Sequence, residues 1–335
     1  MQFYEFKETQ ERVILIGVQT EVGDDVEASL DELEELAETA GAETVAKVIQ
    51  NREAVHPGTY IGKGKIEEVA SLLRALDANG VICDDELSPA QLNNLERELD
   101  CKVMDRTLLI LDIFAGRAVS SEGKIQVELA QLRYRAARLV GLRESLSRLG
   151  GGIGTRGPGE KKLETDRRLI RTRISALKTE LAQVEKHREL IRGKRSRGNL
   201  KTAAIVGYTN AGKSTLLNTL TGAGILAEDK LFATLDPTTR VLELKDGQQI
   251  LLTDTVGFIR KLPHHLVEAF KSTLEEAKYA DYIIHVVDAS NPQAELQMFT
   301  VYETLRELGA TGKKIVTLLN KQDQVTGSGI RDLKA

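Results

Sequence analysis

The chain has 335 residues, which at about 150 residues per domain predicts two or three domains. Its 41% hydrophobic and 29% charged residues match a soluble globular protein and exclude one dominated by disorder. The two cysteines, Cys83 and Cys101, lack metal-spaced partners, and neither a secretory leader nor a bilayer-spanning apolar run is present, so a cytoplasmic protein without disulfides or zinc is expected.

Residues 13–18 read as a buried strand, 25–40 as an amphipathic acidic helix and 44–49 as a second strand. A helix over 65–76, a short strand at 80–83 and a helix over 89–99 follow, the last with Ser88 as N-cap and Pro89 in its first turn. This alternation predicts a small α/β domain with a largely parallel sheet over residues 1–115. From Glu122 the period lengthens, with Ile125, Leu129, Leu132, Ala136, Leu139 and Leu142 at helical spacing. A glycine-rich run at 150–159 interrupts it, and a second long helix carries Leu163, Leu169, Ile170, Ile174, Leu177, Leu181 and Val184. Residues 116–198 are therefore expected to form a long helical hairpin, ending in a flexible basic boundary at 192–198. A third part, 199–335, returns to strands alternating with helices.

The net charge of −4 conceals an asymmetry: residues 131–201 carry a balance of +13 and the remainder −17. Such a segment suits contact with a polyanion, and equally a solvated, salt-bridged helix face.

Three motifs follow in the last part. Gly207-Tyr208-Thr209-Asn210-Ala211-Gly212-Lys213-Ser214 matches G-x-x-x-x-G-K-[ST] between an apolar run at 203–206 and a helix-forming stretch that starts with Thr215. Loop amides and a helix N-terminus there surround phosphate oxygens, Lys213 reaches the β/γ-phosphates, and the Ser214 hydroxyl ligates Mg²⁺. Asp254-Thr255-Val256-Gly257 ends an apolar strand 40 residues after Ser214, placing a carboxylate near the metal and the Gly257 amide near a γ-phosphate. Asn320-Lys321-Gln322-Asp323 follows a buried run and resembles the guanine-reading motif of regulatory GTPases, in which a carboxylate accepting two guanine N–H groups is left unpaired by adenine. Between the first two lies a loop that should supply a Mg²⁺-ligating threonine, and spacing alone leaves Thr234, Thr238 and Thr239 open.

Further segments carry a resemblance that extends over almost the whole chain. They are residues 56–65 (HPGTYIGKGK), 84–91 (DDELSPAQ), 126–132 (QVELAQL), 151–159 running into 161–168 (KKLETDRR), and 232–238 (FATLDPT). Together with the three motifs they make the chain similar to the HflX family of ribosome-associated GTPases. The resemblance implies GTP hydrolysis coupled to binding the large ribosomal subunit, through its RNA, and to splitting stalled or idle ribosomes. It implies a P-loop GTPase domain at 199–335 with Thr234 as the switch threonine, inside a nucleotide-contacting stretch of Phe232, Ala233, Thr234, Leu235 and Asp236. The catalytic set is then Lys213, Asp254 and Gly257, with Ser214 and Thr234 as metal ligands. The chain stops at Ala335, twelve residues after Asp323, so against the family pattern the nucleotide domain is expected to be incomplete at its C-terminus.

Other features are weaker. Asn210 occupies a P-loop position where related GTPases coordinate K⁺, and it also suits a turn. Gly58, Gly62 and Gly64 with Lys63 and Lys65 suit a structural turn, contact with ribosomal RNA, or ATP, the last implying an RNA remodeller; a non-catalytic RNA-binding protein is the other alternative. Asp84, Asp85 and Glu86 read as an acidic cap at a strand end rather than metal ligands. Phe258 stands where other GTPases carry a water-orienting Gln, so slow unassisted hydrolysis is expected. At the hairpin tip Arg148, Arg156, Lys161, Lys162, Arg167 and Arg168 exceed Glu160, Glu164 and Asp166 by three charges, which makes them the candidate RNA contacts. A monomer is expected.

Overall fold

Every residue from Val13 to Val18 is buried, as the centre of a parallel sheet covered on both faces requires. A computed structural model describes residues 10–20, 25–149, 158–197, 200–222, 230–261 and 275–325. Packing divides the chain into two compact units, Met1–Ile113 with Gln131–Thr172, and Phe114–Ala130 with Arg173–Ala335. The expected middle part, 116–198, is thereby shared between them.

In the first unit β1 (Arg12–Gln19), β2 (Glu43–Asn51), β3 (Gly80–Cys83) and β4 (Lys102–Asp105) form a wholly parallel sheet of order β2-β1-β3-β4. The helices α1 (Val26–Thr39), α2 (Lys63–Ala75), α3 (Pro89–Leu99) and α4 (Arg106–Arg117) alternate with these strands. Asp25 caps α1, and Ser88 with Gln91 forms a capping box on α3, so the start expected at Ser88 is the start found. The strand β4 and helix α4 were not expected. β4 spans four residues and α4 buries Leu109, Ile110, Leu111, Ile113 and Phe114, a run too continuous to show a period.

Two long helices follow, α5 (Ser121–Leu149) and α6 (Pro158–Arg197). α6 continues to Arg197, in place of the flexible boundary expected at 192–198. Its residues after Leu190 keep helix-favouring Arg and Lys, which outweigh the single Gly193. Leu177 is buried, whereas Leu169 is 61% exposed and lines an open groove with Leu139 and Ile170. The tip loop including Arg156 lies outside the described residues, as do the side chains of Arg148, Lys161 and Lys162.

In the second unit β5 (Lys201–Gly207), β6 (Thr238–Glu243), β7 (Gln249–Asp254), β8 (Tyr282–Asp288) and β9 (Lys314–Asn320) form one sheet of order β6-β7-β5-β8-β9, parallel except for β6. Helices α7 (Lys213–Thr221) and α8 (Ala294–Glu307) belong to this unit. β5 is central, so the loop leaving its carboxyl end opens where chain connections diverge, the usual ligand position in such sheets.

Among the described residues no helix is long and apolar enough to cross a membrane.

Candidate nucleotide site

The loop 207–213 joins β5 to α7. Gly212 takes a left-handed φ of 95°, and a Cβ there would stand 2.2 Å from Asn320 Nδ2, so the turn admits only glycine. Asn320 Nδ2 donates to the Ala211 carbonyl at 2.9 Å, tying the end of β9 to this loop. Phe258 N–H donates to the Gly207 carbonyl at 3.1 Å and Thr209 N–H to the Phe258 carbonyl at 2.8 Å, tying the segment after β7 to it as well. The Phe258 ring itself is buried, so the side chain in the place of a water-orienting Gln is part of the core.

Lys213 is buried, and its ammonium donates to the Tyr208 carbonyl at 2.6 Å. Burial pushes this group down to about 8, against the pull of the Asp254 carboxylate. A Cβ at Gly257 would lie 3.0 Å from Lys213 Nζ and 2.8 Å from Thr209 Cα, so the chain passes the loop closely only because residue 257 has none.

Ser214, Thr234 and Asp254 come from α7, a loop and the end of β7, and they meet. Ser214 Oγ donates to Asp254 Oδ2 at 2.6 Å, Thr234 Oγ1 donates to the same oxygen at 3.1 Å, and the two hydroxyls are 2.8 Å apart. Of the threonines left open by spacing, Thr234 reaches this point; Thr239 bonds Thr253 across β6 and β7, and Thr238 opens β6. Burial raises the Asp254 carboxyl, with Lys213, Ser214 and Thr234 opposing. Its Oδ1 is buried without a hydrogen-bond partner among the described residues, and so is Thr209 Oγ1. Two unsatisfied buried oxygens beside a buried cation are costly unless something is bound there.

An open cleft lies over these groups, lined by Thr209, Asn210, Gly212, Lys213, Ser214, Thr215, Phe232, Ala233, Thr234, Thr255 and Gly257. Lys230 lines it too. This exposed cation was absent from the sequence expectation, although it lies two residues before the FATLDPT run. Other expected contacts stand apart. Leu235 and Val256 are buried, and the Tyr208 hydroxyl accepts from the Arg260 N–H at 2.7 Å. The Asp236 carboxylate faces Val119 and Ser120 instead of the cleft, because their free amides at the start of α5 attract it. At the other motif Lys321 pairs with Asp288 at 2.9 Å, Gln322 donates to the Leu319 carbonyl, and the Asp323 carboxylate is exposed. Asn320 thus braces the loop, and Asp323 faces outward.

The glycine- and lysine-rich loop of the first unit binds polar groups of its own turn, of β2 and of α3. His56 Nδ1 accepts from the Thr59 N–H, Gln50 Oε1 from the Gly62 N–H, and the Gly58 carbonyl from Asn94. This is the structural-turn alternative in atomic terms.

Comparison with known proteins resolves the family. Models described as "GTP-binding GTPase N-terminal", "GTP-binding GTPase Middle Region" and "50S ribosome-binding GTPase" match residues 27–115, 117–195 and 202–321. A GTPase HflX of Lacrimispora saccharolytica is 70% identical over 332 residues, covering 99% of this chain and 78% of that protein. The chain belongs to the HflX GTPase family. It is a GTP-binding protein and a GTPase. The HflX of Escherichia coli is 47% identical over 315 residues, covering 94% of this chain and 74% of that one. A solved structure titled as SsGBP with GDP is 29% identical, with a TM-score of 0.56, and covers 97% of this chain and 86% of its own. Another, titled as a Sulfolobus solfataricus GTP-binding protein with GDP, is 28% identical with a TM-score of 0.51, covering 97% of this chain and 86% of that one. Both expectations, the HflX family and the α/β fold with a P-loop GTPase domain, are borne out.

Proposed function

We propose that this chain is a GTP-driven factor that binds the large ribosomal subunit and splits ribosomes, with residues 199–335 as nucleotide domain, 116–198 as a basic helical hairpin and 1–115 as an N-terminal α/β domain. The convergence of Ser214, Thr234 and Asp254 beside buried Lys213 carries the nucleotide half of the reading. The match to the model described as a 50S ribosome-binding GTPase, and the balance of +13 over residues 131–201, support the ribosomal half.

In this reading Lys213 and the amides of residues 207–215 hold the phosphates, and Ser214 and Thr234 supply oxygen ligands to Mg²⁺. Hard hydroxyl and carboxylate oxygens suit that ion, and Asp254 Oδ1, without a hydrogen-bond partner among the described residues, would accept from a water that the ion holds. Magnesium bound there offsets charge on the transferred phosphoryl group. The Gly257 amide addresses the γ-phosphate, Phe232 and Ala233 close over the nucleotide, and Asn210 offers an oxygen to K⁺. Asp323 reads guanine while Asn320 keeps the P-loop in place. Replacing GTP by ATP leaves Asp323 without its donors, which costs about 10²-fold in affinity.

Because Phe258 is buried and apolar, unassisted turnover is expected on the order of 10⁻⁴–10⁻² s⁻¹. GTP turnover with and without large ribosomal subunits tests the reading. Stimulation and co-sedimentation support it; equal rates with no co-sedimentation refute it. Arg148, Arg156, Lys161, Lys162, Arg167 and Arg168 are the proposed RNA contacts, and each phosphate contact removed should flatten the log–log salt slope of binding by roughly 0.7–0.9.

A further inference from the structure

Thr234 sits on a loop held at two points, and both holds come from one short stretch of chain. On one side Phe232, with a left-handed φ of 54°, sets its ring edge-on against Phe114 at a centroid distance of 4.7 Å. On the other, Asp236 Oδ2 accepts the Ser120 N–H at 2.8 Å and the Val119 N–H at 3.0 Å, while Oδ1 accepts the Ser120 hydroxyl. Ser120 Oγ in turn accepts from the Gly123 N–H at 2.8 Å, so Ser120 caps α5 and Asp236 grips the cap. The carboxylate therefore meets the free amides and positive dipole end of a 29-residue helix. A Cβ at Gly123 would come within 2.5 Å of Asp236 Oδ1, so the approach depends on that glycine.

We propose that Asp236 is a positioning residue for GTP hydrolysis: by fastening its loop to the start of α5 it holds Thr234 against Ser214 and Asp254. Residues 114–123 then belong to the nucleotide centre, although they lie far ahead of it in sequence. The proposal rests on reading Thr234 as the metal-ligating threonine. Coupling of this kind is reciprocal, so a displaced α5 start withdraws Thr234, and a released Thr234 loop loosens the helix cap.

Single-turnover GTP hydrolysis by the full chain tests it, in Asp236→Asn, Gly123→Ala and the double variant. Asp236→Asn keeps the shape and removes the charge; Gly123→Ala attacks the same contact from the helix side. Each single variant is expected to hydrolyse about tenfold more slowly, with GDP affinity kept within about twofold. The double variant is expected to be no slower than the slower single one, because both break one contact. Unaltered hydrolysis in either single variant, or defects that multiply in the double one, would overturn the proposal. Loss of GDP binding in Asp236→Asn would also overturn it, by making Asp236 a general structural residue. Thr234→Ala run alongside separates the two readings: if that variant hydrolyses normally, the Thr234 assignment fails and the latch with it, whereas a slow Thr234→Ala beside a normal Asp236→Asn removes the latch alone.

Discussion

Both sheets in this chain end in buried carboxylates, and the two ends are finished differently. After β3 and β4 of the first unit, Asp84 pairs with the buried guanidinium of Arg106 at 2.8 Å and accepts the Ser29 hydroxyl, and Glu32 closes on the same Arg106. Asp105 accepts from the amides of Leu87 and Leu108, from the Tyr134 hydroxyl at 2.8 Å and from Arg138 at 2.6 Å. Every one of these acids has a strong donor within the protein. At the end of β7, Asp254 has two hydroxyls on one oxygen and no hydrogen-bond partner for the other among the described residues, and Lys213, the cation acting on it, is held down by burial. Satisfied buried charge is scaffold; charge left half-satisfied over a cleft marks the place for a ligand.

Removing a donor from the satisfied end should have the largest effect. Arg106→Ala takes the guanidinium away from buried Asp84 and part-buried Glu32 and is expected to cost about 3–5 kcal/mol in urea unfolding while GTP affinity stays unchanged. A loss below about 1 kcal/mol would break the comparison.

The opposite trade is expected at the other end. Asp254→Asn should slow hydrolysis about 10²-fold without lowering the melting temperature, since it removes a buried, under-paired charge. Single-turnover rates and thermal melts of the same preparation check both halves.

Acid sharpens the contrast within the second unit. His285 is buried on β8, edge-on to Tyr302, and burial, with the Lys213 charge assisting, pushes its imidazole down to about 4. The unfolded chain therefore binds the extra proton near pH 6.5 and the folded chain only near pH 4, so this contribution to stability is lost as pH falls through that window. His285→Phe should reduce the acid loss by about 2–3 kcal/mol between those limits, measured as unfolding free energy against pH. An unchanged pH profile would remove His285 as the cause.

The smallest effect is expected from Tyr134→Phe, which takes one of four donors from Asp105. About 1–2 kcal/mol should be lost in urea unfolding, and GTP hydrolysis should not change.

The contiguous parts of the site were legible because their chemistry is local. Successive amides of residues 207–214, a lysine and a hydroxyl in the next turn are one peptide's work, and the alternation of strand and helix fixed where that peptide stands. Ser88 as a cap and 13–18 as a buried strand follow from the same short-range rules. What only tertiary structure decided involves partners distant in sequence. Thr234 was separated from Thr238 and Thr239 by its meeting with Ser214 and Asp254, twenty residues away on either side. Asn320 turned to the Ala211 carbonyl, 109 residues back, and Asp236 turned to Ser120, 116 residues back. The family resemblance assigned Asp236 to the nucleotide; a helix start with free amides and a glycine gap took it instead. No local pattern reports such a contact, because the energy of a part-buried carboxylate depends on which donors the fold brings to it, not on its neighbours in the chain.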